Sequence, residues 1–265
     1  MTQTPNAELL AEAILKIGVA GFSERLHQWL KACLRFDNMT IIAFFDHEQP
    51  QVFLAHAAER RVFERMNSHY LTGAYLLDPF YSLHTNRAAE GAYRLADIAP
   101  DQFQRNEYYK SYYQQTTLAD EVAFFSSPSA GVSMTVCIGR DASTGSRFSA
   151  RDLNEATHIA PIVNALVKQN WAKLRPHKED RPEDLVAQLR QRLSAERGVS
   201  LSERQAEIAI LILQGHSSVS IGLTLGISPQ TVKVIRKQLY KKCQISSQGE
   251  LYYLVAPYLS DRVQA

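Results

Sequence analysis

The sequence predicts an α+β chain: an antiparallel sheet flanked by helices, an α/β/α sensor-like sandwich, followed by a domain built of four short helices alone. Three observations carry this. Short apolar, β-branched runs come in pairs with turn residues between them. A long pattern of helical period spans 149–174. Beyond residue 199, helix caps and tight-turn residues recur with no strand-like run between them.

The elements follow in order. Residues 7–17 and 23–35 have helical spacing of Leu, Ile, Ala and Trp. Thr40–Phe45 and Gln51–His56 read as a hairpin around the charged, proline-containing segment Asp46–Pro50. Arg60–Leu77 reads as helix, Ala92–Ile98 as a strand, and the tyrosine-rich stretch Asp101–Thr117 as helix. Glu121–Ser126 and Gly131–Ile138 form a second strand pair, separated by the Ser-Ser-Pro-Ser turn. Ser149 opens the long helix that runs to Leu174. Ala172–Asp184, with Pro176 and Pro182, is the linker, and Glu183–Glu196 is a short amphipathic helix closed by Gly198. The expected divisions are therefore 1–174, 175–198 and 199–265.

With 265 residues, 45% hydrophobic and 21% charged, the chain can bury a core in each half. Its longest apolar runs are too short to span a bilayer, and the N-terminus lacks signal-peptide form, so a cytoplasmic location without membrane partner is expected. Cys33, Cys137 and Cys243 match no metal spacing and read as buried thiols; no metal or cofactor is expected. The net charge of +2 hides an asymmetry. Residues 1–175 carry 17 basic and 18 acidic side chains, whereas residues 200–265 carry 7 and 4. Five of those bases (Lys233, Arg236, Lys237, Lys241, Lys242) fall between Pro229 and Lys242 with no acid among them.

Ser202 with Gln205 is a capping box. Ile208, Leu211 and Ile212 form an apolar stripe, and Gly215 ends that helix. Ser217 or Ser218 starts a second helix containing Val219, Ile221, Leu223 and Leu225; Gly226 supplies the turn, and Ile227 plugs the core. Ser228 caps a third helix with Pro229 at its first position, where a missing N–H costs nothing. Val232, Ile235 and Leu239 make its buried stripe, which leaves Lys233, Val234, Lys237 and Lys241 on the opposite face. Ser247 and Glu250 cap a fourth helix bearing Leu251, Leu254 and Val255 before Pro257.

The strings Leu201-Ser-Glu-Arg-Gln, Leu213-Gln-Gly, Leu225-Gly-Ile-Ser-Pro-Gln-Thr-Val-Lys-Val and Ile245-Ser-Ser resemble the LuxR/NarL-type DNA-binding domain over about residues 199–258. That resemblance implies a sequence-specific transcription regulator and no enzyme. Its third helix would lie in the major groove, with Lys233 and Lys237 donating to guanine O6 and N7 and Val234 against a thymine methyl. Gln230, Thr231 and Lys241 would contact phosphates, and Arg236 would reach a phosphate or the helix seam. Partners implied are a double-stranded operator, a second copy of the chain forming a homodimer on two half-sites, and RNA polymerase.

In the N-terminal half, Tyr70-Leu-Thr-Gly-Ala-Tyr-Leu-Leu-Asp-Pro-Phe-Tyr81 resembles the acyl-homoserine-lactone-binding domain of quorum-sensing LuxR regulators. By that resemblance Asp78 accepts a ligand N–H, Tyr70 is a pocket tyrosine, Tyr93 stands in place of a tryptophan, and Glu121 lies where the pocket is usually small. The acidic, tyrosine-rich set favours an amine- or amide-like effector over a standard lactone. Three other readings stay open: Asp78-Pro79 as a helix-ending turn, a purely dimerising domain with no ligand, and an enzyme-like set of Asp78, Glu121 and His69. A phosphorylation receiver would need an acidic pair before Asp46, and none precedes it at a strand end. Asp120 and Glu121 read as a solvated turn leading into a strand.

Overall fold

A computed structural model describes residues 6–46, 48–71, 73–106, 109–110, 112–145, 147–176, 185–214 and 216–260, the side chains of 60 and 256–260 excepted. Tyr108, Pro182, Glu183 and Gly215 fall outside the described residues. Two compact units emerge. The first comprises Met1–Glu64, Phe80–Ile98 and Thr116–Glu179; the second comprises Arg65–Pro79, Ala99–Gln115 and Asp180–Ala265.

The first unit is a five-stranded antiparallel sheet in the order β2-β1-β5-β4-β3. Its strands are β1 (Asn38–Phe45), β2 (Gln51–His56), β3 (Gly91–Arg94), β4 (Leu118–Ser129) and β5 (Val132–Asp141). Three helices, α1 (Ala7–Leu15), α2 (Phe22–Cys33) and the 21-residue α5 (Ala150–Asn170), share one core with the sheet. Alternation along the strands sends Met39, Ile41, Val136, Ile138, Val122 and Phe124 into that core. There they meet Leu26, Trp29, Leu30, Ile159 and Val163. Each such side chain contributes about 1.5–3 kcal/mol of transfer free energy when fully buried. Ser149 caps α5 through the reciprocal box with Asp152 that its sequence predicts.

The opposite face of the sheet is smaller and more polar: Thr40, Ser133, Thr135, Cys137 and Ala123 lie there with Ile42, Phe44 and Phe125, all buried. Helix α3 (Pro79–Thr85) packs on it, with the rings of Tyr81 and Phe44 5.3 Å apart. His84, also buried, bonds Ser133 Oγ through Nδ1 at 2.9 Å and approaches Asp46 with Nε2 at 3.2 Å. Asp46 also pairs with Arg87 at 2.9 Å, so the carboxylate at the end of β1 is committed to ion pairing.

Several elements depart from the sequence reading. Arg60–Leu77 is no single helix. It is a 3₁₀ turn (Arg60–Phe63), a π turn (Met66–Tyr70) and a 3₁₀ turn (Ala74–Leu77), and Gly73 at φ 146° breaks any continuous helical path. The strand expected over Ala92–Ile98 ends at Arg94 and becomes the helical turn α4 (Leu95–Ile98). Asp101–Thr117 contains the 3₁₀ turns Phe103–Arg105 and Tyr113–Gln115. Ser126–Ser129 is no turn: β4 runs through it with an irregular register, and the reversal falls at Ala130-Gly131. Pro128 is tolerated because β3 pairs with β4 only as far as Phe125.

In the second unit lie α6 (Leu185–Arg197), α7 (Glu203–Gln214), α8 (Ser218–Leu225), α9 (Pro229–Cys243) and α10 (Gln248–Ser260). Leu189, Leu193, Ile208, Ile212, Ile221, Val232, Leu239, Leu251 and Val255 are among its buried apolar residues in these helices. Gly198 ends α6 at φ 66°, with Val199 N–H bonded to the Leu193 carbonyl.

Candidate nucleic-acid interface and ligand site

Helices α7 to α10 start where their caps dictate. Ser202 Oγ accepts from the Gln205 N–H at 3.2 Å, and Gln205 Oε1 accepts from the Ser202 N–H at 3.1 Å. Ser217 Oγ accepts from Ser220 N–H, and Ser228 Oγ from Thr231 N–H. At α10, Ser247 Oγ accepts from Glu250 N–H, while the Glu250 carboxylate reaches back to the N–H of Ser246 rather than Ser247. Those bonds from Ser246 hold the Glu250 carboxyl below the usual range. The turn between α8 and α9 uses Gly226 at φ 65°. Gly222, unremarked by the sequence patterns, is as important. A Cβ there would stand 2.7 Å from the Ile227 carbonyl oxygen, so only glycine lets the turn fold back this closely.

Helix α9 has two sides. Val232 and Leu239 are fully buried, Cys243 is buried and Ile235 half-buried. Gln230, Thr231, Lys233, Val234, Lys237 and Lys241 are all exposed, Val234 at 47%. This leaves an apolar contact flanked by three ammonium groups along one helix. The Thr231 hydroxyl is within 2.8 Å of Ser228 Oγ, which fixes its rotamer. Arg236 lies over the ring of Tyr240 at 5.0 Å, one turn along the same helix. Lys242 belongs to the fold: its Nζ donates to the Ser200 carbonyl at 2.6 Å and to Gln205 Oε1 at 3.2 Å, tying α9 to the start of α7. On α10, Leu251 and Val255 are core, Leu254 is half-buried, and Tyr253 is exposed at 70%. On α8 only Ile221 of the four expected apolar residues is fully buried; Val219 and Leu223 are exposed and Leu225 is intermediate. Ile227 is half-buried rather than a buried plug.

Two side chains from the 99–115 segment grip this helical group within the second unit. Asn106, fully buried, donates from Nδ2 to the carbonyls of Leu213 and Gln214 at the end of α7. Asp101 accepts from the Ser217 N–H at 3.0 Å. Burial opposes its charge, but the Ser217 hydrogen bonds outweigh it and keep the carboxyl below its ordinary range.

Of the four ligand-site candidates, the second unit holds two and the first unit two. Tyr70 is buried, and its hydroxyl donates to Asp78 Oδ2 at 2.7 Å. Its ring stacks on Tyr112 at 5.5 Å and lies 6.3 Å from Tyr75. His69 stacks on Tyr112 as well; burial and then Arg65 lower its pKa. Asp78 is half-buried and ends the 3₁₀ turn Ala74–Leu77 just before Pro79, as its helix-ending reading expects. Tyr93 and Glu121 project from β3 and β4 on the polar face of the sheet, the Tyr93 ring meeting Phe125 edge-on. The Tyr93 hydroxyl donates to the Ala89 carbonyl at 2.6 Å. Asp120 and Glu121 are strand residues, not a solvated turn. Asp120 is 5% exposed and takes two hydrogen bonds from Arg94, at 2.7 and 3.1 Å, plus the Phe148 N–H.

The three cysteines are free; Cys137 and Cys243 are buried, while Cys33 is only half-buried. Burial and then Glu155 push the Cys33 thiol up to about 11. Among the described residues no group of three His, Cys, Asp or Glu side chains is placed to hold a metal ion, and no helix is long and apolar enough to cross a membrane. An apolar groove of about 1130 Å³ runs beside α1, β3 and α5, lined in part by Ile14, Ile17, Ala92 and Ile162.

Residues 199–255 match the family of bacterial regulatory proteins called the luxR family. The chain is 28% identical over 187 residues to a putative HTH-type transcriptional regulator in the exeN 3′ region of Aeromonas salmonicida, covering 69% of this chain and 94% of that protein. The VqsR LBD domain of Pseudomonas aeruginosa superposes with a TM-score of 0.54 at 27% identity, over 63% of this chain and 97% of that one. Escherichia coli SdiA aligns over 97% of this chain and 99% of its own at 14% identity, with a TM-score of 0.42. The C-terminal residues thus match a family of transcription regulators, and the chain is similar over most of its length to an HTH-type transcriptional regulator. This chain's C-terminal domain is a luxR-family helix-turn-helix, and its N-terminal sheet domain resembles the ligand-binding domain of VqsR.

Proposed function

We propose that the chain is a cytoplasmic, homodimeric regulator that reads a two-half-site operator through α9 and answers to a small molecule bound by its N-terminal domain. The domains are taken as 1–174, 175–198 and 199–265. The observation that carries this is the two-sided character of α9: Val232 and Leu239 buried, and Lys233, Val234, Lys237 and Lys241 outward. An exposed helix of this chemistry suits the major groove, where ammonium groups meet guanine acceptors and a methyl pair meets thymine. Gln230 and Thr231, at its N-terminal end, and Lys241 suit phosphates, which fix register.

For the effector, the Tyr70–Asp78 pair supports an anchor for an N–H group. The Tyr70 phenol, donating to Oδ2 at 2.7 Å, orients a carboxylate of the kind that accepts from a ligand amine or amide. Surrounding aromatic rings would lower the local dielectric and strengthen that bond. Tyr93 and Glu121, on the polar sheet face of the first unit, are the further residues we assign to effector binding. The exposed apolar residues Ile14 and Leu15 on α1, beside the groove against α5, offer a surface for a second copy.

The test uses an operator selected from random duplexes by the full chain. Fluorescence anisotropy should give a two-half-site consensus with binding at least a thousandfold tighter than to random DNA at physiological salt. Uniform affinity for all sequences would refute the reading.

A further inference from the structure

The α9 face and the Tyr70–Asp78 site leave unused a second, strongly charged cavity in the first unit. Its volume is about 590 Å³. Lys31 of α2, Arg35 just after it, Arg140 of β5, Arg147 before α5 and Arg151 in the first turn of α5 all line it. Asp152 is the one carboxylate among the lining residues. Five cations gathered around one concavity repel one another unless anions neutralise them.

Three neighbouring acids offset only part of this charge. Asp152 accepts from the Ser149 N–H and hydroxyl at 2.9 and 2.7 Å. Burial opposes its charge, but those bonds and then Arg140 and Arg35 keep the carboxyl below its ordinary range. Asp37 accepts from Asp141 N–H and Thr144 Oγ1, both at 2.9 Å, and stands 4.0 Å from the Arg140 guanidinium. Glu155, one turn beyond Arg151, is the third, near enough to add to burial in raising the Cys33 thiol. Lys31 is held in place by the Phe36 carbonyl and by the Phe36 ring, 4.7 Å from its Nζ.

We propose that this cavity binds a small, multiply charged phosphoanion, either a nucleoside polyphosphate or a free polyphosphate. Guanidinium forks match phosphate oxygens in pairs, and Lys31 adds a fixed point charge. The volume lies within the usual range for small-ligand pockets. A duplex backbone asks for cations spread along an open track, whereas these converge on one hollow. A ligand here would bridge α2, β5 and the start of α5, and so reach the frame of the sensor domain by a route separate from Asp78.

The experiment is calorimetry on the full chain at fixed ionic strength. The probes are sodium triphosphate and GTP, with sulfate as the control. The comparison protein is Arg35→Gln/Arg147→Gln/Arg151→Gln, whose altered side chains are all exposed. Expected are saturable binding of triphosphate, tighter than sulfate, and at least a tenfold loss in the triple variant with an unchanged melting temperature. Arg151→Gln alone, losing at least threefold, serves if the triple variant does not fold. GTP binding far tighter than triphosphate means base or ribose is also held; equal affinities mean the phosphate chain alone is recognised. Both support the proposal. Absence of saturable binding up to millimolar probe, or equal affinity of wild type and variant, overturns it. So does displacement of triphosphate by random-sequence duplex together with an equal loss of duplex affinity in the variant, which would make the patch a DNA-backbone contact.

Discussion

Lys241 and Lys242 are neighbours in sequence with different duties. Lys241 is exposed near the end of α9, while Lys242 ties that helix to Ser200 and Gln205. Lys241→Ala should weaken binding to all duplexes alike and lower the slope of log affinity against log salt by about one. Lys242→Ala should leave base preference intact and cost about 1 kcal/mol of stability, read from a denaturant melt. A swap of those two phenotypes would mean the helix is rotated in the bound state. The distinction was not legible in the sequence, where both appear in one basic run. What separates them is a contact between residues 37 positions apart. Asp120 was misread for the same reason, since its partner Arg94 lies on another strand. Asp78 is a different case, since its partner Tyr70 is only eight residues away, although their hydrogen bond was not read from the sequence.

At the scale of elements, the close turn between α8 and α9 rests on Gly222 and Gly226. Gly222→Ala drives a methyl toward the Ile227 carbonyl, a rigid backbone group. The expected cost is about 1–3 kcal/mol, with loss of operator affinity in step with loss of helix content by circular dichroism. Intact stability and intact binding would show that the turn can open without harm. Helix α2 carries a pH dependence. His27 faces His56, with ring centroids 4.2 Å apart, and Lys31. Burial first, then those two neighbours, lower its pKa from 6.5 to about 4. The unfolded chain therefore binds more protons between these values. This contribution to stability is complete above about pH 6.5 and is lost as pH falls toward 4. His27→Gln should flatten that part of the melting-temperature profile, and an unchanged slope would remove His27 as its source. Elements with local signals were legible: the caps at Ser149, Ser202, Ser217 and Ser228 all hold as hydrogen bonds. Arg60–Leu77 was not, because its apolar spacing fits a helix while Gly73 imposes a backbone angle no continuous helix contains.

For the whole molecule, a regulator needs its ligand to favour one arrangement over another, since equal affinity for both shifts nothing. Within the second unit, residues of the 65–79 and 99–115 segments share a compact body with the helix-turn-helix. Asn106 closes the end of α7 and Asp101 the start of α8. Asn106→Ala leaves two helix-end carbonyls without that donor. It should lower stability by about 1–3 kcal/mol and shrink the change in operator affinity that effector binding produces, with base preference unchanged. Wild-type stability and wild-type response would show that the contact transmits nothing. These contacts are not legible in the sequence, because their partners lie 107 and 116 positions apart.

The central claim is that α9 reads base identity. Its most direct test is Lys237→Ala against a panel of operators carrying each single base-pair change, measured by anisotropy at two salt concentrations. A bidentate contact to guanine predicts a loss of about 1–3 kcal/mol on the parent operator and collapse of discrimination at one base pair, the others keeping theirs. Retention of the full wild-type pattern of preferences, whatever the change in overall affinity, would contradict the placement of α9 in the major groove.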